Sequence, residues 1–512
     1  QPGRTPCAPT QRSAARRISP DSQQATASVT TAVPTIAGAH VVVQLLFSTR
    51  YGYHRDELYF LATARHLAWG YVDKPPLTPA LAWLAGALFG DSLVGLRLFP
   101  ALASGAVVLL GGLLAREFGG GCYAQGLAAL CMAVSTFVLI TGHVLGTTAF
   151  DQLAWALCAY LVVRLLRTGD ERLWLLVGLV AGVGLLNKHL LPFFGLGVVV
   201  GLLLTEGRRP LRSPWLWVGG ALALLIFAPN LVWQIENGWP TVEMTRNLQA
   251  RSSGFGATLA FVPMQLLMVN PFLAPLWLAG LWWLLRAPDG RRSRALGWAY
   301  VAILVLLVAL GGKPYYLAPM YVVLLAAGAV LAERALRRRA RRVLIGLALG
   351  AGLLAAPIAL PIVPPEMLNT LPVHNANPEL AETLGWPELV DTVAGIYESL
   401  PPDERATAVI FTANYGEAGA IDHLGKSRGL PSAISGHNNY WLWGPGQARD
   451  GTTIAVGVRR ERLEPIFGEV TLAGQVANAH GVDNEEQGAP VWLCRQQKLG
   501  WVEAWPSVKH YN

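Results

Sequence analysis

Residues 92–115 read SLVGLRLFPALASGAVVLLGGLLA, a predominantly apolar run long enough to cross the roughly 30 Å hydrocarbon core of a bilayer as a helix. Comparable runs flank it at 31–48, 121–141, 148–166, 173–187, 190–205, 214–234, 263–285, 295–311, 315–332 and 343–362. Together they predict a polytopic bundle of about eleven transmembrane helices. Composition agrees: 53% of the 512 residues are hydrophobic against 14% charged, and mean hydropathy is +0.39, a balance foreign to soluble domains of this length.

The formal net charge of +8 is a question of place before it is one of partners. Arginines collect in alternate loops: Arg16 and Arg17; Arg116; Arg164, Arg167 and Arg172; Arg208, Arg209 and Arg212; Arg286, Arg291, Arg292 and Arg294; Arg334, Arg337 to Arg339, Arg341 and Arg342. The positive-inside rule makes that side cytoplasmic. The Arg337 to Arg342 run is then an orientation signal and a headgroup contact before it is anything for nucleic acid. An odd number of spans puts residues 363–512 outside, together with the loops near Asp56, Thr147, Trp239 and Lys313.

Residues 1–28 read as a disordered cytoplasmic tail ahead of an uncleaved first helix, in a chain that opens at Gln1 as a truncated or processed one would. Residues 29–362 form the membrane domain, with an external loop at 49–91. In that loop YGYHRDELYFLATARHLAWGYVDKPPL (51–77) is too charged to span but has one apolar helical face, Leu58, Leu61, Ala64, Leu67 and Ala68, and suits an interfacial helix. Pro75 and Pro76 stop it, and 77–89 starts a second. A long polar stretch, 236–262, is expected to be a mobile external lid. From Pro364 onward apolar runs at 406–411, 453–458 and 491–494, with a helical stretch at 415–425, predict a soluble α/β or α+β domain. Cys494 alone among the five cysteines falls in that domain, so no external disulfide forms. No P-loop, dinucleotide fingerprint or zinc spacing occurs, and His143 and His437 are read as structural.

Charge near membrane depth needs a reason, because each such group costs roughly 2.5–3.5 kcal/mol at the centre of a span. Four places qualify. Arg55, Asp56 and Glu57 follow the first span; a carboxylate there suits a general base, and equally the cap of the following helix. Asp151 opens another span, and Thr148 to Asp151 fits a capping box. Asp73 and Lys74 make either a phosphate contact or a local ion pair on a proline turn. Lys188 with His189, and Lys313 with Tyr315 and Tyr316, oppose the orientation rule, as phosphate ligands or as cations snorkelling to headgroups.

In their order and their common membrane side, Arg55-Asp56-Glu57, Asp73-Lys74-Pro75-Pro76-Leu77, Asp151 and Lys313-Pro314-Tyr315-Tyr316-Leu317-Ala318-Pro319 resemble the C-type glycosyltransferases. The resemblance is to the bacterial family 39 branch, with its protein O-mannosyltransferases and lipid A aminoarabinose transferase, and covers roughly residues 30–362. It implies a mostly α transmembrane bundle whose sugar comes from a polyprenyl-phosphate carrier and goes to an acceptor hydroxyl at the outer face of a bacterial plasma membrane. It also implies Asp56 as the catalytic carboxylate, Asp151 as its assistant at sugar or acceptor, Lys74, Lys188 and Tyr316 as ligands of the carrier phosphate, and Arg246 as a substrate-binding residue in the part a loop arginine plays in relatives. Arg55, Glu57, Asp73, Lys313 and Tyr315 complete the candidate substrate-binding set. Asn414-Tyr415-Gly416-Glu417 and Ser435 to Trp441 resemble the tail of bacterial members and depart from the eukaryotic mannosyltransferases.

The implied reaction is a single inverting displacement, with protein, glycolipid or polysaccharide as acceptor. A magnesium or manganese ion between Asp56 and Asp151 stays open, since no full ligand set can be read. Two rivals are weighed: a lipid-linked sugar transporter or flippase, which would want mid-membrane charge and related halves, and a non-catalytic scaffold binding glycan through Trp441 and Trp443.

Overall fold

The computed structural model describes residues 28–206, 208–252, 255–371 and 376–512; the N-terminal tail, with Cys7, Arg16 and Arg17, lies outside the described residues. Sixteen helices make the first part: α1 (Ala32–Leu46), α2 (Arg55–Arg65), α3 (Leu77–Phe89), α4 (Leu93–Glu117), α5 (Cys122–Ala133), α6 (Thr136–His143), α7 (Thr147–Thr168), α8 (Leu173–Leu185), α9 (Leu191–Leu203), α10 (Pro214–Glu236), α11 (Pro240–Ser252), α12 (Phe255–Val269), α13 (Ala274–Arg286), α14 (Arg294–Ala309), α15 (Tyr321–Ala335) and α16 (Arg338–Ala359). Among the described residues six helices are long and apolar enough to cross a membrane, or eight when the pairs α5–α6, bent by 57°, and α12–α13, bent by 91°, each count as one. α1, α8 and α9, at 15, 13 and 13 residues, fall where spans are expected but are shorter than a bilayer's thickness asks.

Small residues let these helices approach. A Cβ at Gly280 of α13 would overlap the carbonyl oxygen of Leu324 in α15, and one at Gly328 of α15 that of Leu276, the close contact that replaces hydrophobic driving force inside lipid. α15 is the axis of the bundle, with Tyr321 to Val330 all buried. At the arginine-rich end Glu117 pairs with Arg167 at 2.6 Å, and Glu333 accepts the Gly121 N–H that opens α5, also at 2.6 Å.

The expected lid at 236–262 is corrected: most of it is helical, as α11 and the start of α12. Polarity was read there as loop, but α11 is a polar helix tied to the chain's C-terminal end, through Asn247 Nδ2 to the Tyr511 carbonyl at 3.0 Å and Lys509 to Glu243 at 2.9 Å.

The second part is a five-stranded mixed sheet with strand order β2-β1-β3-β5-β4. β1 (Val409–Thr412), β2 (Ala433–Ser435) and β3 (Thr453–Val456) are parallel, while β4 (Phe467–Gln475) and β5 (Pro490–Gln497) run antiparallel. β1 and β3 are buried throughout, so they read as short apolar runs. Around them lie α17 (Trp386–Ser399), α18 (Pro402–Thr407), α19 (Tyr415–Leu424), α20 (Asn438–Trp443), α21 (Arg460–Leu463) and α22 (Trp501–Val508). Asn414 caps α19, accepting the N–H groups of Gly416 and Glu417.

α2 joins the two parts. The helix expected in the external loop packs into protein, because Leu58, Tyr59 and Ala62 belong to the same apolar core as Trp386, Leu389, Ala418 and Ile421. On its other side Phe60 packs with Ala82, Ala85 and Leu96 of α3 and α4. α2 ends at Arg65, so Leu67 lies beyond it and is exposed.

Candidate active site

The start of α2 is held from several directions. His54 is its N-cap: Nδ1 accepts the Asp56 N–H at 3.1 Å, and Glu57 Oε2 accepts the His54 N–H at 2.8 Å. Asp56 is therefore not the cap. Glu57, expected to bind substrate, is instead a buried counter-ion. Its carboxylate faces Arg97 of α4, Nε to Oε1 at 3.0 Å and Nη2 to Oε2 at 2.7 Å, and also accepts the Leu145 N–H at 2.9 Å. The Arg55 guanidinium meets Glu485 and lies 3.9 Å from Glu382.

Asp56 is the carboxylate of the triplet with one side-chain oxygen unpartnered among the described residues. Oδ1 accepts a hydrogen bond from the Tyr415 hydroxyl of α19 at 2.9 Å, and Oδ2 has no hydrogen-bond partner among the described residues. Burial pushes the Asp56 carboxyl up, but His54, Arg55 and Lys74 with the Tyr415 hydroxyl outweigh it and leave the group below its ordinary value. Lys74 is buried, 3.1 Å from Asp73 and over the Tyr59 ring at 3.4 Å. Burial lowers its ammonium while Asp73 and Asp56 work to keep it charged. The Tyr59 hydroxyl lies 3.2 Å from both Asp73 Oδ1 and Asn439 Oδ1. Asp73 and Lys74 do form the local ion pair that the proline turn suggested, inside an aromatic setting.

Asp151 is buried in the second turn of α7, accepting from Trp155 Nε1 at 3.1 Å. The expected capping box does not form there: Gly146 is the N-cap and no side chain caps the helix. Lys188 donates to Thr148 Oγ1 at 3.2 Å and lies 5.0 Å and 5.6 Å from the Tyr315 and Tyr316 ring centroids. Lys313, exposed, is 6.0 Å from the Tyr315 ring. The Tyr315 ring packs edge-on against Tyr316, centroids 4.8 Å apart, and tilted against Phe137 at 6.2 Å. Arg246 is exposed on α11 beside Trp239 and Glu243, and no contact brings it to either carboxylate.

What results is a pair of carboxylates at one end of the bundle, flanked by Lys74 and Lys188 and lined by tyrosines. Such a set can take a proton from a hydroxyl and hold an anionic leaving group. Among the described residues no group of three or more His, Cys, Asp or Glu side chains is placed to hold a metal ion. Sequence reading missed His54, Tyr59, Arg97 and the position of Tyr415. An arginine within the apolar run 92–115 was itself a signal, since an ionisable group there needs a partner; the other three carry no comparable mark.

Residues 73–233 match the family model described as dolichyl-phosphate-mannose-protein mannosyltransferase. No curated protein matches the chain. Among solved structures, ArnT from Cupriavidus metallidurans bound to undecaprenyl phosphate aligns with TM-score 0.60 at 18% identity, over 90% of this chain and 97% of that one. Its apo state gives TM-score 0.58 at 17% identity, over the same shares, 90% and 97%. The archaeal oligosaccharyltransferase AglB from Archaeoglobus fulgidus is more distant, with TM-score 0.47 at 13% identity over 84% of this chain and 70% of that one. Eighteen-per-cent identity with nearly complete mutual coverage is a likeness of fold, and by that likeness the chain is a multi-pass helical membrane protein with the fold of the C-type membrane glycosyltransferases.

Proposed function

We propose that this chain is a glycosyltransferase that moves a sugar from a polyprenyl-phosphate carrier to an acceptor hydroxyl at the outer face of a bacterial plasma membrane. The observation that carries the reading is the Asp56 carboxylate, hydrogen-bonded through Oδ1 alone by the Tyr415 hydroxyl at 2.9 Å, together with the buried Lys188 beside Thr148, Tyr315 and Tyr316. The likeness to a fold that holds undecaprenyl phosphate in ArnT supports it, as does the mannosyltransferase family match across 73–233.

Asp56 takes the proton of the acceptor hydroxyl, and that oxygen forms a bond to the anomeric carbon. The bond from that carbon to the phosphate oxygen breaks, and polyprenyl phosphate leaves with the electron pair. Backside attack inverts the anomeric configuration. Lys188, with Tyr315 and Tyr316, neutralises the departing phosphate; Lys74, already paired with Asp73, adds positive potential beside the base. Asp151 orients sugar or acceptor hydroxyls. The arginine-rich loops face the cytoplasm and the sheet-bearing part faces out, so the lipid tail stays in the bilayer while its sugar reaches Asp56.

The test is mass spectrometry of lipid-linked sugars and envelope glycans in cells with the wild-type chain, the Asp56→Asn variant, or neither. The expected result is that variant and deletion alike accumulate one polyprenyl-phosphate sugar while one glycan loses that sugar. A variant indistinguishable from wild type would remove Asp56 from the mechanism.

A further inference from the structure

Tyr415 does not belong to the helical bundle. It opens α19, in the sheet-bearing part, yet its hydroxyl reaches Asp56 Oδ1 at 2.9 Å. Its ring is fixed on both faces, by Tyr59 of α2 at 4.4 Å and 17° and by His437 at 4.6 Å and 29°. The column continues to His510, 4.7 Å from His437, and ends at its other side in Lys74, 3.4 Å over Tyr59. Backbone joins hold the same place: the Tyr415 N–H meets His437 Nδ1 at 3.3 Å, and the Asn439 N–H meets the Tyr59 hydroxyl at 3.1 Å.

A phenol clamped between two rings has little freedom, so the direction of its hydroxyl is set before any substrate arrives. A hydrogen bond to one carboxylate oxygen fixes the rotation of the group and points the other oxygen. We infer that Tyr415 is a positioning residue: its hydroxyl, delivered by the C-terminal part, holds Oδ1 of Asp56 so that Oδ2 faces the acceptor hydroxyl. This rests on the reading of Asp56 as the base. It makes residues 376–512 a structural half of the active site rather than an appended module.

Besides Tyr415, the groups acting on Asp56 are His54 and Arg55 of α2, Lys74 after it, Glu379, and Tyr315 of the bundle. Removing the Tyr415 hydroxyl leaves all of these in place. The experiment labels the detergent-solubilised full chain with dicyclohexylcarbodiimide, which adds to protonated carboxyl groups, and follows the Asp56 peptide by mass spectrometry against pH. In Tyr415→Phe the stack stays and the hydrogen bond goes, so the labelling midpoint rises by about one pH unit. Tyr440→Phe removes another hydroxyl of the same core, 2.8 Å from Asp422, and leaves the midpoint unmoved.

In cells, Tyr415→Phe slows consumption of the carrier-linked sugar by roughly 10-fold, the usual worth of a hydrogen bond to a charged group, whereas Tyr440→Phe does not. An Asp56 midpoint equal to wild type in Tyr415→Phe overturns the inference. So does a midpoint shifted equally by both variants, because the effect is then one of general stability. A wild-type chain that consumes no lipid-linked sugar sinks the glycosyl-transfer reading instead, and the labelling still decides whether Tyr415 holds Asp56.

Discussion

Asp56 and Glu57 are adjacent carboxylates with opposite assignments, and the difference lies in what surrounds them. Glu57 is fully buried with both oxygens engaged by Arg97 and two backbone N–H groups, whereas Asp56 keeps one oxygen unbonded. Replacing Glu57 by Gln strands the Arg97 charge in a dry site. The expected cost is about 3–5 kcal/mol in thermal unfolding, and less when Arg97→Met accompanies it, since the pair then leaves together. Asp56→Asn is expected to lower transfer by about 10²- to 10⁴-fold while the melting profile stays that of a folded chain. Lys188→Met is expected to raise the donor concentration needed for half-maximal transfer about 10-fold, measured in membranes supplied with polyprenyl-phosphate sugar, because a charged contact to the leaving phosphate is lost.

α2 owes its position to two cores at once. Its apolar side chains divide between the bundle and the sheet-bearing part, so the pattern read along the chain gave the right helix and the wrong partner. Contact with α19 is close: a Cβ at Gly419 would lie 2.8 Å from the Leu58 carbonyl carbon, backbone that cannot rotate away. Gly419→Ala is therefore expected to push α2 and α19 apart, costing about 1–3 kcal/mol and raising amide exchange in both helices while the rest of the bundle keeps its protection. α11 makes the complementary point. Its composition is that of a loop, and it is tied to Gln234 of the preceding helix and to Tyr511 and Lys509 at the far end of the chain.

The sheet-bearing part carries a pH dependence. Glu417 and Glu486 are buried against each other near Asn414, and burial, followed by their mutual repulsion and hydrogen bond, pushes Glu417 well above the ordinary carboxylate range. Burial raises Glu486 as well. A raised value means that the folded chain binds more protons than the unfolded one above about pH 4.5. Stability from this pair is therefore full below that pH and declines as pH rises through the folded value. Glu417→Gln, which reproduces the protonated partner, is expected to flatten that decline above about pH 4.5 in thermal unfolding.

The bundle was legible along the chain because each span must satisfy its own backbone and present apolar side chains to lipid, demands written in consecutive residues. For the same reason α3 is found at the residues where a helix was expected, β3 within its apolar run and β1 overlapping its own. β4 went unread because it is an edge strand with few buried residues, and β2 because it has three. The carboxylates and lysines of the site were visible as charges out of place. Their division into a buried ion pair and a carboxylate hydrogen-bonded through one oxygen was not, because it depends on Arg97 lying 3.0 Å or less from Glu57 and on Tyr415 arriving from 359 residues away in the chain. Local sequence carries the cost of putting a charge near a membrane; which partner settles that charge is a long-range fact that folding alone supplies.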